Sequence, residues 1–349
     1  MMQQFPRAII TGCLSTLVTT SRIVVVSSTL LVIGVTATGA QPPASAPAAS
    51  VAPFEVPAWA FPLSTAPSRP FDSVTMRRVP GSGASFTTAQ AQNRFGVADW
   101  FPRGHAPMPD VVARGRKPAV IACGFCHLPD GMGRPENAML AGLPAEYILA
   151  QLGELRARTR GSASPTPYRL MVTMHTIADS LRDGEAEDAA RYFSHLRGHR
   201  RSRVVEATEI PRVTAAVGLY ERAKEGGTEP LGRRLIEAPV DMARHELHDP
   251  RTEYIAWVPR GSLARGRALV TRGAEGVTSC ASCHGVRLQG AGTIPPIAGQ
   301  SPSYVLRQLL AFRTGARSSV AGGPMRTVAS MLSLDDMIAA AAYVGSREP

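Results

Sequence analysis

Two pentapeptides of the form Cys-x-x-Cys-His constrain this chain more than any other feature. They are Cys123-Gly-Phe-Cys126-His127 and Cys280-Ala-Ser-Cys283-His284, set 157 residues apart. Two thiols three positions apart can close thioether bonds onto the vinyl groups of one haem, and the adjacent histidine then falls beneath the iron. A single match would also suit zinc or a redox disulfide. Two matches inside a wider repeat point to two covalently held haems c.

The wider repeat is visible residue by residue. At the same spacing Ala141-Gly142 matches Ala298-Gly299, Tyr147 matches Tyr304, and Gln151-Leu152 matches Gln308-Leu309. Beyond that point the spacing falls to 151, so the first copy carries extra residues around Arg160 to Tyr168. In the new register Met174 matches Met325, Ala178 matches Ala329, Leu181 matches Leu332 and Tyr192 matches Tyr343. A fixed order with one change of loop length marks a duplicated domain.

The repeat also selects the second iron ligand. An electron carrier needs both axial positions filled, and a thioether raises the reduction potential relative to a second imidazole. A methionine taken at random is usually core filler. Met174 and Met325, however, correspond across the duplication and each lies seven residues before a matched leucine. They are the expected partners of His127 and His284. Met171 and Met331 are the runners-up, and Met132 stands too close to His127 to reach the other face. His175 adjoins Met174 but has Arg326 as its counterpart, which argues against it. His105 and His199 lie outside the repeat cores. His245 and His248 are spaced for a metal but have no completing ligand pattern, so a packed or solvated pair is expected.

The N-terminus reads as an export signal over residues 1–40. An apolar run from Ile23 to Ile33 follows Arg7 and Arg22, and Thr38-Gly39-Ala40 offers small residues for cleavage. The alternative is an uncleaved anchor holding the protein at a membrane. Cys13 falls within this segment and is incidental, which leaves the other four cysteines to the haem motifs. Export and covalent haem attachment agree, because that attachment occurs outside the bacterial inner membrane. The expected location is periplasmic. Net charge is +11 for the full sequence. Loss of the signal and ionisation of four haem propionates would bring it to about +5, a surface that favours acidic docking partners. Nucleic acid is not an expected partner, since no basic helix or interleaved aromatic-basic pattern is present.

Residues 41–70 are rich in Pro, Ala and Ser and read as a disordered tether. Residues 71–108 read as an irregular arm. The first haem domain spans 109–197, with helices expected near 111–121, 144–158 and 184–196. The second spans 261–349, with helices near 263–272, 303–314 and 334–344. Ser333 with Asp335 and Asp336 caps the last of these. Residues 198–260 match neither copy and read as a linker insertion with some short strands. The expected fold class is therefore all-α: two tandem helical domains from duplication, joined by an irregular insertion.

Pro324-Met325, Leu332-Ser333, Ala341-Ala342-Tyr343 and Ile297-Ala298-Gly299-Gln300 resemble the cytochrome c4 family of dihaem periplasmic carriers. The resemblance covers both haem domains and omits the arm and the insertion. It implies class I cytochrome c domains with His127–Met174 and His284–Met325 as axial pairs. It also implies redox protein partners: a dehydrogenase as donor, and an oxidase or another cytochrome as acceptor. A non-enzymatic shuttle is the leading expectation, and the electron-accepting subunit of a periplasmic dehydrogenase is the alternative. A dihaem enzyme of peroxidase or thiosulfate dehydrogenase type fits less well. Paired methionines oppose an open iron, and no spare cysteine remains as a ligand.

Overall fold

The computed structural model describes residues 54–64 and 70–349. The expected signal at 1–40 and much of the Pro/Ala-rich stretch lie outside these residues.

The first haem motif sits in a bundle of three helices, Ala145–Arg156, Arg169–Ser180 and Asp183–Ser194. Helical spacing places Ile148, Gln151 and Leu155 on one buried stripe. Ala186, Ala189, Ala190 and Phe193 form the facing stripe, and the small alanines let the backbones approach. The expected helix over 111–121 shrinks to Asp110–Ala113. Gly115 ends it at φ +64°, where a Cβ would stand 2.2 Å from the Val120 carbonyl oxygen. A tight Arg116–Val120 bridge then replaces the helix.

The second motif sits among helices Ser262–Arg272, Pro302–Arg313, Gly323–Met331 and Leu334–Gly345. Ser333 and Asp336 form a reciprocal capping box at the start of the last helix. That helix is buried along almost its whole length, from Met337 to Val344. Its crossing with Ser262–Arg272 is close at Gly266, where an added Cβ would lie 2.0 Å from the Ala339 carbonyl oxygen. Residues 54–64, at the end of the Pro/Ala-rich stretch, lie against this half. Phe61 is buried there, and Arg307 Nε donates to the Ala60 carbonyl at 2.6 Å.

The insertion corrects the all-α expectation: the fold mixes helix and strand. Among the described residues it holds seven strands, β1 (Ser202–Glu206), β2 (Glu209–Pro211), β3 (Val213–Ala215), β4 (Tyr220–Arg222), β5 (Thr228–Pro230), β6 (Ile236–Pro239) and β7 (Tyr254–Val258). β7 is the centre of a three-stranded sheet. It runs parallel to β1, with Ser202 opposite Tyr254, and antiparallel to β6, with Ile236 opposite Trp257. β2 pairs with β5 and β3 with β4 as short antiparallel ribbons. All five residues of β7 are buried, as expected of an apolar run covered on both faces. Ile210, Leu231, Ile236 and Trp257 form one small core. β1 and β7 also contact helix Leu334–Gly345, and Val258 joins the second half's own core.

Glu237, only 2% exposed, fastens the sheet to the second half. Its carboxylate accepts from Ser202 Oγ (2.5 Å), Ser301 Oγ (2.6 Å), Ser303 Oγ (2.5 Å) and the Ser303 backbone N–H (3.0 Å). No single described helix is long and apolar enough to cross a membrane.

Candidate haem sites

In the first half, Cys123–His127 forms one short helix. His127 is buried, and its Nδ1 lies 2.8 Å from the Ala138 carbonyl oxygen. A carbonyl only accepts, so Nδ1 carries the proton and Nε2 keeps a free lone pair. Burial pushes the imidazole down to about 4, so the neutral form prevails at pH 7. His127 lines a cavity of about 150 Å³. Met174 and Met171 line the same cavity, with Leu143, Tyr147, Leu152 and Leu155 along its apolar walls. Met174 lies on helix Arg169–Ser180, which the helical reading of the sequence did not anticipate. Cys123 and Cys126 are unpaired and partly buried. Desolvation raises Cys123 to about 12 and also raises Cys126, so before haem attachment both are protonated thiols at neutral pH.

In the second half, His284 is buried with Nδ1 2.9 Å from the Pro295 carbonyl oxygen, the same tautomer lock. Burial lowers its pKa as well. Cys280 and Met325 pack against one apolar cluster that includes Leu309, Leu310, Ile297 and Tyr343. Met325 sits at the start of helix Gly323–Met331. Cys283 is exposed.

The other candidates have partners of their own. His175 Nε2 lies 2.9 Å from the Arg160 carbonyl. His245 and His248, the spaced pair, are both buried. His245 bonds Tyr254 Oη through Nδ1 (3.1 Å) and lies 3.7 Å from Glu136. His248 packs on the ring of Phe125, centroid to centroid 4.6 Å, inside the first haem motif. Among the described residues no cluster of His, Cys, Asp or Glu could hold a metal by itself.

Between the halves lies a polar junction that motif reading missed. Arg160 and Arg317 face one another in an antiparallel bridge. They too are 157 residues apart, so the duplication spacing was the signal that could have found them. It also puts the extra residues of the first copy after Arg160. The side chains are shared across the halves. Gln151 Oε1 accepts from both Arg160 (2.7 Å) and Arg317 (2.6 Å), and Arg160 reaches Tyr304 Oη at 3.0 Å. Arg317 is 6% exposed and its Nε has no partner, while its nearest carboxylate is Glu154 at 3.7 Å. Burial and the neighbouring Arg160 both work against its charge.

These residues suit haem. A flat apolar macrocycle matches the leucine-lined cavity, and its iron matches the lone pair of a neutral imidazole. Its vinyl groups match paired thiols, and its two carboxylates match guanidinium groups in the cavity wall, the buried Arg307 and the half-buried Arg160. When bound, haem supplies a one-electron iron couple. The protein's part is to hold the imidazole tautomer, exclude water and place cations beside the acidic edge.

Comparison with known proteins agrees. The family described as Cytochrome c matches residues 264–348. Cytochrome c-554(547) of Halothiobacillus neapolitanus is 34% identical over 94 residues, covering 25% of this chain and 97% of that protein. The chain belongs to the cytochrome c family. Its likeness to cytochrome c4 reaches across both halves. Cytochrome c4 of Azotobacter vinelandii is 28% identical over 236 residues, 66% of this chain and 87% of that one. The thiosulfate dehydrogenase electron acceptor of Stutzerimonas stutzeri is 29% identical over 240 residues, 67% of this chain and 84% of that one. This cytochrome is c4-like and dihaem, with covalently bound haem c, and it transfers electrons.

Proposed function

We propose that this cytochrome is a periplasmic electron carrier without catalytic chemistry of its own, using His127 with Met174 and His284 with Met325 as axial ligands. Cys123 with Cys126, and Cys280 with Cys283, hold the two haems c. The observation that carries this reading is the first cavity, where a neutral His127 and Met174 line one apolar space. Two filled axial positions leave no open site for substrate, so transfer is outer-sphere and ligand reorganisation is small. Partners present acidic surfaces to the basic chain, which speeds encounter more than it tightens binding. A dehydrogenase gives electrons and an oxidase or second cytochrome takes them. The likeness to a thiosulfate dehydrogenase electron acceptor favours a second reading, in which the chain is the electron-accepting subunit of such a dehydrogenase.

The test is optical. Oxidised protein should show the weak long-wavelength band of a thioether on ferric haem, and Met174→Ala and Met325→Ala should each remove about half of it. A wild-type protein that lacks the band, or that binds cyanide at once, would overturn the ligation.

A further inference from the structure

The duplication places equivalent loops around the two proximal histidines, and the protein covers only one. In the first half Leu128, Pro129, Met132 and Gly133 are all buried. The cover comes from the insertion and the residues leading into it. The His199 backbone N–H meets Met132 Sδ at 3.4 Å, Arg201 donates to the Gly133 carbonyl, and His248 lies on Phe125. In the second half two of the four counterparts, Val286 and Gln289, stand in solvent, while Gly285 and Gly290 are half-buried. Val286, the counterpart of buried Pro129, is 86% exposed, and Ile294 is 36% exposed. Cys283, Arg287 and Gln289 are exposed on the same loop.

We infer that the loop from Cys283 to Pro295 is the docking surface for a redox partner with an acidic rim, and that protein partners exchange electrons at the second haem. This deepens the proposed function and rests on it. The first copy shows how such a loop is sealed when the seal is part of the chain. Nothing comparable lies on the second loop among the described residues, so its apolar centre is left for another protein. The rim sets the chemistry. Arg287 is on the loop, and Arg272 ends helix Ser262–Arg272, which packs against the second motif. Both are exposed, against Glu275 as the nearby exposed acid. An apolar centre with a basic edge selects a complementary acidic surface through encounter rate and orientation. The loop's backbone keeps the valine and isoleucine outward. Leu288 N–H donates to the Gly285 carbonyl, Gly290 N–H to the His284 carbonyl, and Ala291 pairs with Ile294 across a tight turn.

The test uses full-length, haem-loaded protein on a gold electrode coated with a carboxylate-terminated monolayer as the acidic probe surface. Val286→Asp and Arg287→Glu should slow interfacial electron transfer about tenfold, while Lys117→Glu, an exposed change on the first half, should stay within about twofold. Haem content and melting temperature should match wild type in all three, because the residues are exposed. Equal slowing by Arg287→Glu and Lys117→Glu would mean that net charge alone matters, and would overturn the assignment. So would unchanged rates in both loop variants. A wild-type dimer in sedimentation that Val286→Asp dissolves would also overturn it, by making a second copy the occupant. Failure of the wild type to give any reversible wave would instead strike the carrier reading.

Discussion

The two haem motifs share a spacing, a histidine tautomer and a methionine, and differ in what lies on top of them. The first is roofed by an insertion that brings Arg201, His245 and His248 over its loop. The second has Cys283 and Val286 in solvent. One duplicated unit has thus acquired two environments. The difference teaches that a haem's reach to partners is set by the chain outside the motif. Dielectric and exposure also tune reduction potential. The roof over the first motif's loop is anchored on the other half of the molecule, because the sheet that carries it is pinned by Glu237 to Ser301 and Ser303.

That anchor gives the largest expected effect. Glu237→Ala leaves buried hydroxyl and N–H donors without acceptors and should cost about 3 kcal/mol of stability. In denaturant titrations the variant should also bring the first half's loop amides into hydrogen exchange before the second half's helices open. Simultaneous exchange everywhere would mean that roof and second half unfold as one unit, and that the contrast between the halves is static only.

The roof should also be weakest in acid. Burial lowers His245 from 6.5 to about 4, with Arg134 and Arg201 lowering it further and Glu136 opposing them. His248 is lowered well below 6.5 by burial, Arg134 and His245. Between pH 6.5 and 4 the unfolded chain therefore binds more protons, so stability is full above the upper value and is lost as pH falls. His245 contributes a slope of roughly 1 kcal/mol per pH unit in that window, and His248 adds to it in the same direction. His245→Gln should flatten the slope in thermal melts taken across it. An unchanged slope would place the acid sensitivity elsewhere.

The smallest effect belongs to the exposed joint between insertion and second half. Arg233 pairs with Asp335 at 2.9 Å, its side chain 74% exposed. Arg233→Ala should change stability by less than about 0.5 kcal/mol, because solvent screens the pair. A larger loss would show that the joint, and not Glu237, holds the roof in place.

Much of the helical framework was legible because its signals are local. Pro144 opens one helix, the Ser333–Asp336 box opens another, and apolar residues recur at helical spacing in Ala145–Arg156 and Asp183–Ser194. The two helices carrying Met174 and Met325 were less visible. Tyr168 and Gly322, which precede them, make no side-chain cap. Short strands in the insertion were legible as apolar runs, but their pairing into a sheet was not, for a different reason. β7 draws its pairing from β1, some fifty residues earlier in the chain, and its neighbours β1 and β6 are only five and four residues long. Short apolar runs give no period that separates a sheet from a loop. Arg160 and Arg317 resemble ordinary surface cations in sequence, and only their matched spacing marks them. The proposed axial histidines needed none of this, since the pentapeptide points to them directly.

The most direct test of the account is the intact mass of the denatured, reduced protein. Wild type should retain two haem masses per chain, and Cys123→Ala with Cys126→Ala should retain one, still carried by Cys280 and Cys283. Wild type with no retained haem, or with a single one, would contradict the account at its root.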